Sequence, residues 1–504
     1  MATSSLATTI LESEPRPKIA SPAPILQKAP IPLELSSLNY NTRYIGPEAL
    51  GVSHPATPFG AQTPRTPNEL ESIPPHPSTP IGGSSLTRRP SVTVSQSLKS
   101  PPGNLHRFVN SCLISLVLGL NDSAPGALLP YIEKYYSVAY GTVSLIFVAY
   151  AIGFIIAAPL TKWLQTKLGR AWFLLLSQTL VICEYVIIVV RPPFVIFVLS
   201  FFMSGLGSAW TLSLNNVFVS GMQNGTSLLG VFHGCYGVGG ILGPLLATAL
   251  VSSGRPWSDF YFVTLSLAIF NAICAFWTSR GYEQELSIPA QLQPTGSRQQ
   301  DASQSSRIRA LLKTIHNRTT LLGAAFIFAY QGAEVSLSGW IVSFLLTTRP
   351  HPASQSSSLG YVTSGFWGGI TLGRFVLSHF MQRLGQRVAV TALIIGSALL
   401  QIAVWFVPDI IGEAVAVAFV GLLLGPIYAF AISTFSRLLN RDDLVSALSF
   451  VSAMGSSGGA VAPFVTGVVS QKVGIWVVNP IAMGLFGAMG IAWLLLPKTP
   501  KRRE

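Results

Sequence analysis

From Leu105 onward the chain is a succession of long apolar runs, near 105–130, 139–162, 171–191, 193–219, 226–253, 257–280, 318–347, 358–382, 388–408, 411–438, 443–471 and 475–496. Each holds about 20 or more mostly apolar residues, enough to cross roughly 30 Å of hydrocarbon. No water is available there to satisfy backbone N–H and C=O groups, so helices are the form such runs take. Gly and Pro recur inside them, as membrane helices tolerate. The pattern predicts an all-α membrane protein of twelve spans, numbered here in chain order. Residues 1–104 differ: rich in Pro, Ser and Thr, without a helical or strand period, they bury too little apolar surface to fold. They are read as a disordered cytoplasmic tail. No Arg-flanked apolar segment with a small-residue cleavage site precedes them, so no signal peptide is expected.

The spans repeat. Span 2 runs into Lys162-Trp-Leu-Gln-Thr-Lys-Leu-Gly-Arg170, and span 8 into Ser378-His-Phe-Met-Gln-Arg-Leu-Gly-Gln-Arg387. Gly169 and Gly385 are 216 residues apart, and each follows a glycine, Gly153 or Gly369, by sixteen residues. Gly243-Pro244 in span 5 returns 219 residues later as Ala462-Pro463 in span 11, and Gly205-Leu-Gly207 in span 4 as Gly421-Leu-Leu-Leu-Gly425 in span 10. Constant offsets mean six helices, then six again. The expected domains are an N-terminal half over 105–280, a basic connector over 281–317, a C-terminal half over 318–496 and a basic tail over 497–504. Two such halves imply a site at their interface near the bilayer midplane, reached alternately from each side.

Composition sharpens this picture. Only 10% of the 504 residues are charged, against about 25% in an average soluble protein, and the mean hydropathy is +0.51. The net charge of +13 does not mark a nucleic-acid partner, because the basic residues punctuate the ends of the apolar runs. Seventeen Lys and Arg residues, among them Lys162, Arg170, Arg280, Arg307, Arg387 and Arg437, fall on one side of the alternating topology. Five, Lys134, Arg191, Arg255, Arg349 and Lys472, fall on the other. That asymmetry places both termini in the cytoplasm. It also leaves Asn224-Gly-Thr and Asn317-Arg-Thr at cytoplasmic helix ends, out of reach of glycosylation. The plasma membrane is the expected location, with a vacuolar or other internal membrane as the alternative. Cys112, Cys183, Cys235 and Cys274 all lie in apolar runs and read as small buried hydrophobes. Six Ser/Thr-Pro pairs and Arg88-Arg89-Pro90-Ser91 make the tail a candidate substrate for kinases.

Over roughly residues 105–496 the chain resembles the major facilitator superfamily. Lys162 to Arg170 is similar to the superfamily's loop 2–3 motif but lacks its Asp, so the gating ion pairs of that Asp do not carry over; Lys162, Gly169 and Arg170 remain gating candidates. Leu120-Asn-Asp-Ser-Ala-Pro-Gly126 in span 1 and Tyr330-Gln-Gly-Ala-Glu334 with Gly339-Trp340 in span 7 resemble the fucose–proton symporter-like branch. The long Ser/Pro tail resembles fungal members, including those similar to bypass of stop codon proteins. The resemblance implies that Asp122 takes and releases a proton. Those symporters also use an acid in helix 4, where this chain has none, which loosens any transfer of fucose specificity.

Three acids, Asp122, Glu184 and Glu334, lie well inside spans, where a charge at the helix centre costs about 2.5–3.5 kcal/mol. Such a group needs a cavity, a partner or a proton. Asp122 and Glu334 are 212 residues apart, near-equivalent places in the two halves, and are the candidate proton-coupling pair; burial favours the protonated carboxyl in general. The bland alternative for both is a static packing acid, and for Glu184, on a helix that is peripheral in the resembled fold, that alternative leads. In span 5, Gly230, Gly239, Gly243 and Pro244 match the superfamily's antiporter-associated motif, with Ala247 in place of its last glycine. Small residues there allow close helix approach. His233 and Tyr236 in that stretch are pocket candidates, as are Asn121, Trp210, Asn215, Asn216, Gln331 and Tyr428, which offer hydrogen bonds and an aromatic face to a polar ligand. Gly373 and Arg374 in span 8 read as a gate. No Walker A sequence, catalytic nucleophile–base pair or metal-ligand spacing occurs, so no enzyme activity, cofactor or metal is expected.

Three functions are consistent with these residues. The first is a proton-coupled symporter of a small, polar, sugar-like solute. The second is a proton-antiport exporter of a metabolite or drug, favoured by span 5. The third is a nutrient receptor that binds without transporting and signals through its tail.

Overall fold

The computed structural model describes residues 96–285, 317–350, 352–377, 380, 384–439 and 444–497. The tail to residue 95, with Arg88-Arg89-Pro90-Ser91 and five of the six Ser/Thr-Pro pairs, the connector over 286–316 and the basic end over 498–504 lie outside the described residues. Residues 96–103, expected to be disordered, are ordered: the Gln223 backbone N–H donates to the Gln96 carbonyl at 2.6 Å and Asn104 Nδ2 to the Ser97 carbonyl at 3.0 Å. Among those described, nine helices are long and apolar enough to cross a membrane. One of them, Tyr140–Val189, has 50 residues, or about 75 Å if straight, far more than one crossing requires. It is two spans. Gly169 adopts φ 68°, ψ 172° inside it, and the chain doubles back there. Ala157 before the turn and Phe173 after it both meet Trp210: the indole Nε1 donates to the Ala157 carbonyl at 2.9 Å, and the two rings lie 5.4 Å apart.

The helices are α1 (Asn104–Tyr136), α2 (140–168), α3 (170–189), α4 (Phe194–Ser220), α5 (Gly225–Ser252), α6 (Asp259–Ser279) and α7 (Arg318–Thr348). Then come α8 (Tyr361–Leu372, extended by a π turn over Gly373–Leu377), α9 (Gln386–Phe406), α10 (Ile410–Leu424 and Ile427–Leu438, interrupted at Gly425-Pro426), α11 (Leu444–Val473) and α12 (Val478–Leu494). They correspond in order to the twelve predicted spans. α1 runs past its predicted end, through Pro125 and Pro130. A proline forfeits one backbone bond, which a membrane helix surrounded by other helices tolerates.

The repeat seen in the sequence is a repeat of contacts. A methyl group added at Gly153 would strike the Phe202 carbonyl, and one at Gly205 the Tyr150 carbonyl, so α2 and α4 cross backbone to backbone. Gly369 against Ala418 and Gly421 against Phe366 make the same crossing between α8 and α10. Likewise Gly239 lies on the Leu116 carbonyl of α1, and Gly458 on the Phe328 carbonyl of α7. At both tight turns the glycine has positive φ, 68° at Gly169 and 82° at Gly385, with extended ψ of 172° and 138°, a combination that costs an L-residue about 1–3 kcal/mol.

The two halves meet at the midplane and toward the end of the bundle away from Arg107, Arg170 and Arg280. A side chain at Gly126 would strike the Ser338 carbonyl, one at Gly360 Thr248, and one at Gly467 Ser144. The Tyr140 and Trp340 rings are 5.8 Å apart. At the basic end the first residues after α6 fold back on the N-terminal half. Glu285 takes both terminal nitrogens of Arg107, at 2.7 and 3.0 Å, while Arg107 Nε donates to the Thr278 carbonyl at 2.7 Å. Glu283 accepts from the Arg170 backbone N–H, and the Tyr282 ring lies under both guanidinium groups.

Candidate functional site

Midway along α1, Asp122 accepts hydrogen bonds from two phenols of neighbouring helices, Tyr236 of α5 at 2.9 Å and Tyr150 of α2 at 3.3 Å. Beside it Asn121 Nδ2 reaches Ser204 Oγ of α4 at 3.5 Å, while Asn121 Oδ1 has no hydrogen-bond partner among the described residues. Tyr236 sits on the glycine-lined stretch of α5. Gly240 lies against the Trp367 ring of α8 and Gly237 against Thr371. Without side chains there, α8 comes close enough for Trp367 to stand edge-on to Tyr236 at 6.1 Å.

In the C-terminal half, Glu334 of α7 and Arg374 of α8 form an ion pair, Nη2 to Oε1, at 3.5 Å. Glu334 is 8% exposed and Arg374 32%, so the arginine side chain is the more open member of the pair. Arg374 projects from the π turn that ends α8; such turns inside helices frequently mark functional positions. Tyr330, one turn from Glu334, lies near both charges, and its ring meets Tyr428 of α10 at 5.9 Å. His233, one turn before Gly237 on α5, shares the face turned to α8. It is exposed and within electrostatic range of Arg374. Tyr236 is within range of Asp122, Glu334 and Arg374 alike. It bonds the acid of one half and lies within range of the acid of the other.

The structure therefore brings together Asp122, Asn121, His233, Tyr236, Glu334, Arg374 and Tyr428. Gln331 faces α11, with its Oε1 against Gly455. The other α4 candidates are engaged elsewhere. Trp210 gives its N–H to Ala157. Asn215 Oδ1 accepts from Arg170 Nη2 at 2.9 Å and Ser111 Oγ at 3.1 Å, toward the basic end. Asn216 follows it there, half-buried, its Oδ1 without a partner among the described residues. Arg170 is 5% exposed and held by Leu214 and Asn215 of α4 and by Glu283. It fastens elements of one half to one another. Lys162 is exposed beyond it, and Gly373 abuts Leu422 of α10.

Sequence reasoning passed over Tyr150, Trp367 and the position of Glu184. Glu184 is fully enclosed, within electrostatic range of Asp122, and neither carboxyl oxygen has a hydrogen-bond partner among the described residues. Its presence in an apolar run was the available signal, since an acid inside a membrane span is a functional candidate wherever its helix sits.

The chain matches the model of the Major Facilitator Superfamily over residues 111–352 and 336–504. It belongs to the major facilitator superfamily. This superfamily member is accordingly a multi-pass membrane protein and a secondary transporter, not an enzyme. It is 26% identical over 420 residues to bypass of stop codon protein 6 of Saccharomyces cerevisiae, covering 79% of this chain and 83% of that one. It is 20% identical over 386 residues to the glucose/mannose transporter GlcP of Bacillus subtilis, covering 74% and 89%. A crystal structure of the E. coli fucose:proton symporter FucP superposes with a TM-score of 0.54 at 16% identity, over 78% of this chain and 98% of that one. At that identity the likeness is one of fold.

Proposed function

We propose that this chain is a proton-coupled symporter of a small polar organic solute, with hexose-like sugars foremost, working by alternating access. The observation that carries the reading is the Asp122–Tyr236 hydrogen bond at the midplane, beside the Glu334–Arg374 pair of the opposite half. A proton arriving on Asp122 removes the charge that the Tyr236 phenol serves, and Tyr236 adjoins both halves. Protonation thus changes the interaction on which their relative position depends. Hydroxyl groups of a sugar find donors and acceptors in Asn121, His233 and Tyr428, and an apolar face in Trp367. Relatives named as glucose/mannose and glucose/galactose transporters support the sugar class. Each proton moving with the membrane potential supplies about 2.3 kcal/mol per 100 mV.

In proteoliposomes, an imposed inward proton gradient is expected to drive accumulation of one member of a panel of radiolabelled hexoses and organic acids. Asp122→Asn is expected to abolish that gradient-driven accumulation. Uptake that stays fully pH-driven in this variant removes Asp122 from the mechanism. A second reading, proton-antiport export, is favoured by the glycine-lined face of α5 that packs on α1 and α8. The same vesicles separate the two, because antiport gives loss of solute under the inward gradient. The reading places both termini in the cytoplasm, with the plasma membrane as the site of action.

A further inference from the structure

Glu184 is 0% exposed, and its two oxygens have no hydrogen-bond partner among the described residues. Among the described residues, the polar groups within electrostatic range of it are Asp122 from α1, Tyr150 from α2, Ser204 from α4 and Tyr261 from α6, with Tyr185 adjacent on α3. None is a cation. The Tyr185 and Tyr261 hydroxyls are themselves enclosed and unpartnered among the described residues. An ionised carboxylate in such surroundings keeps a desolvation penalty that the nearby Ser204 hydroxyl offsets only in part, and adds repulsion from Asp122. A proton on Glu184 removes both. Asp122, by contrast, accepts from two phenols, an arrangement suited to the charged form.

One hydroxyl side chain, that of Tyr150, adjoins both acids, and a second, that of Ser204, adjoins Glu184 and Asn121. Tyr150 donates to Asp122 Oδ1 at 3.3 Å and is within electrostatic range of Glu184. Ser204 receives Asn121 Nδ2 at 3.5 Å on one side and faces Glu184 on the other. We propose that Glu184 is a proton-binding site, the inner member of a carboxyl pair that holds one proton between Glu184 and Asp122. In the transfer, the Glu184 O–H bond breaks as its proton passes to the Tyr150 hydroxyl. That hydroxyl gives its own proton to the Asp122 carboxylate. The hydroxyl is restored, Glu184 is left as carboxylate and Asp122 as carboxylic acid, and the pair keeps its total charge. The proposal deepens the proton-coupled reading and rests on Asp122 being the coupling acid of that reading.

The test needs no substrate. Infrared difference spectra of the full chain in lipid nanodiscs, recorded over a pH change in H2O and D2O, report protonated carboxyl groups directly. The expected result is a carboxylic-acid C=O band at neutral pH that shifts in D2O and vanishes in Glu184→Gln. Its pH midpoint is expected to move in Asp122→Asn. Should Glu184→Gln not yield folded protein, Glu184→Asp is expected to move the band in frequency. A spectrum in which Glu184→Gln keeps the band, or Glu184→Asp leaves its frequency unchanged, overturns the proposal. So does a midpoint indifferent to Asp122→Asn, which describes an isolated neutral acid. If the band behaves as expected while no solute accumulates under a proton gradient, the carboxyl pair stands and the symport reading falls. If transport is proton-driven and Glu184→Gln leaves its pH profile unchanged, the symport reading stands and Glu184 is removed from it.

Discussion

At the scale of single residues, the site is built from groups that tolerate the bilayer interior only in company. Glu334 is enclosed and its partner Arg374 half-open, so removing either leaves a charge without its counter-ion. Breaking a buried pair from one side costs about 3–5 kcal/mol, and the exposure of Arg374 brings this toward the lower end. Arg374→Ala is therefore expected to lower the thermal unfolding midpoint of the purified protein. The double variant Glu334→Gln/Arg374→Gln is expected to restore stability but not solute uptake. A double variant as unstable as Arg374→Ala argues against the pair as the cause. Tyr236→Phe removes one hydrogen bond to Asp122 and keeps the ring beside Trp367. It is expected to shift the pH profile of uptake while leaving thermal stability within about 1.5 kcal/mol. An unchanged profile separates Tyr236 from the coupling acid.

At the scale of helices and turns, glycine placement decides which elements approach. The Leu-Gly pairs at 168–169 and 384–385 were legible as a motif. Their physical basis is the positive φ of each glycine, where a side chain crowds the backbone. Gly169→Ala is expected to destabilise by about 1–3 kcal/mol, measured as the unfolding midpoint in detergent; an unchanged midpoint means the turn relaxes. The loop motif lacks its acid, and two acids just after α6 stand against its region instead. Glu283 meets the Arg170 backbone, and Glu285 meets Arg107, which is 3% exposed. Loss of the charged hydrogen bonds in Glu285→Ala is expected to cost about 1.5–3 kcal/mol. The readout is accelerated proteolysis after residue 285. Sequence spacing did not reveal this substitution, because the acids lie more than a hundred residues from the motif they serve.

At the scale of the whole molecule, contacts between the halves gather at the midplane and away from the basic end. His233 and Arg374 keep exposure near that junction. Under the proposed orientation these two side chains lie on the cytoplasmic side of the junction. A cysteine placed at His233, in a chain whose own Cys112, Cys183, Cys235 and Cys274 are replaced by serine, is expected to react with a membrane-impermeant maleimide in inside-out vesicles. Little reaction is expected in right-side-out vesicles. The reverse pattern inverts the orientation.

The linear order of residues was enough to establish the membrane-spanning character, the twelve segments and the internal repeat. Apolar run length and glycine spacing are properties of the chain as a line, and the bilayer reads them locally. That order also singled out Asp122 and Glu334, because a carboxyl group inside an apolar run is conspicuous without any knowledge of its neighbours. What each polar group faces became visible in the folded molecule alone. Folding gave Asn215 to Arg170 and the Trp210 N–H to Ala157, drawing both away from the ligand role their residue types had offered. It set Glu184, on a helix expected to be peripheral, within range of Asp122. The reason is physical: the cost of a buried charge depends on which groups surround it in space, and here they come from five different helices.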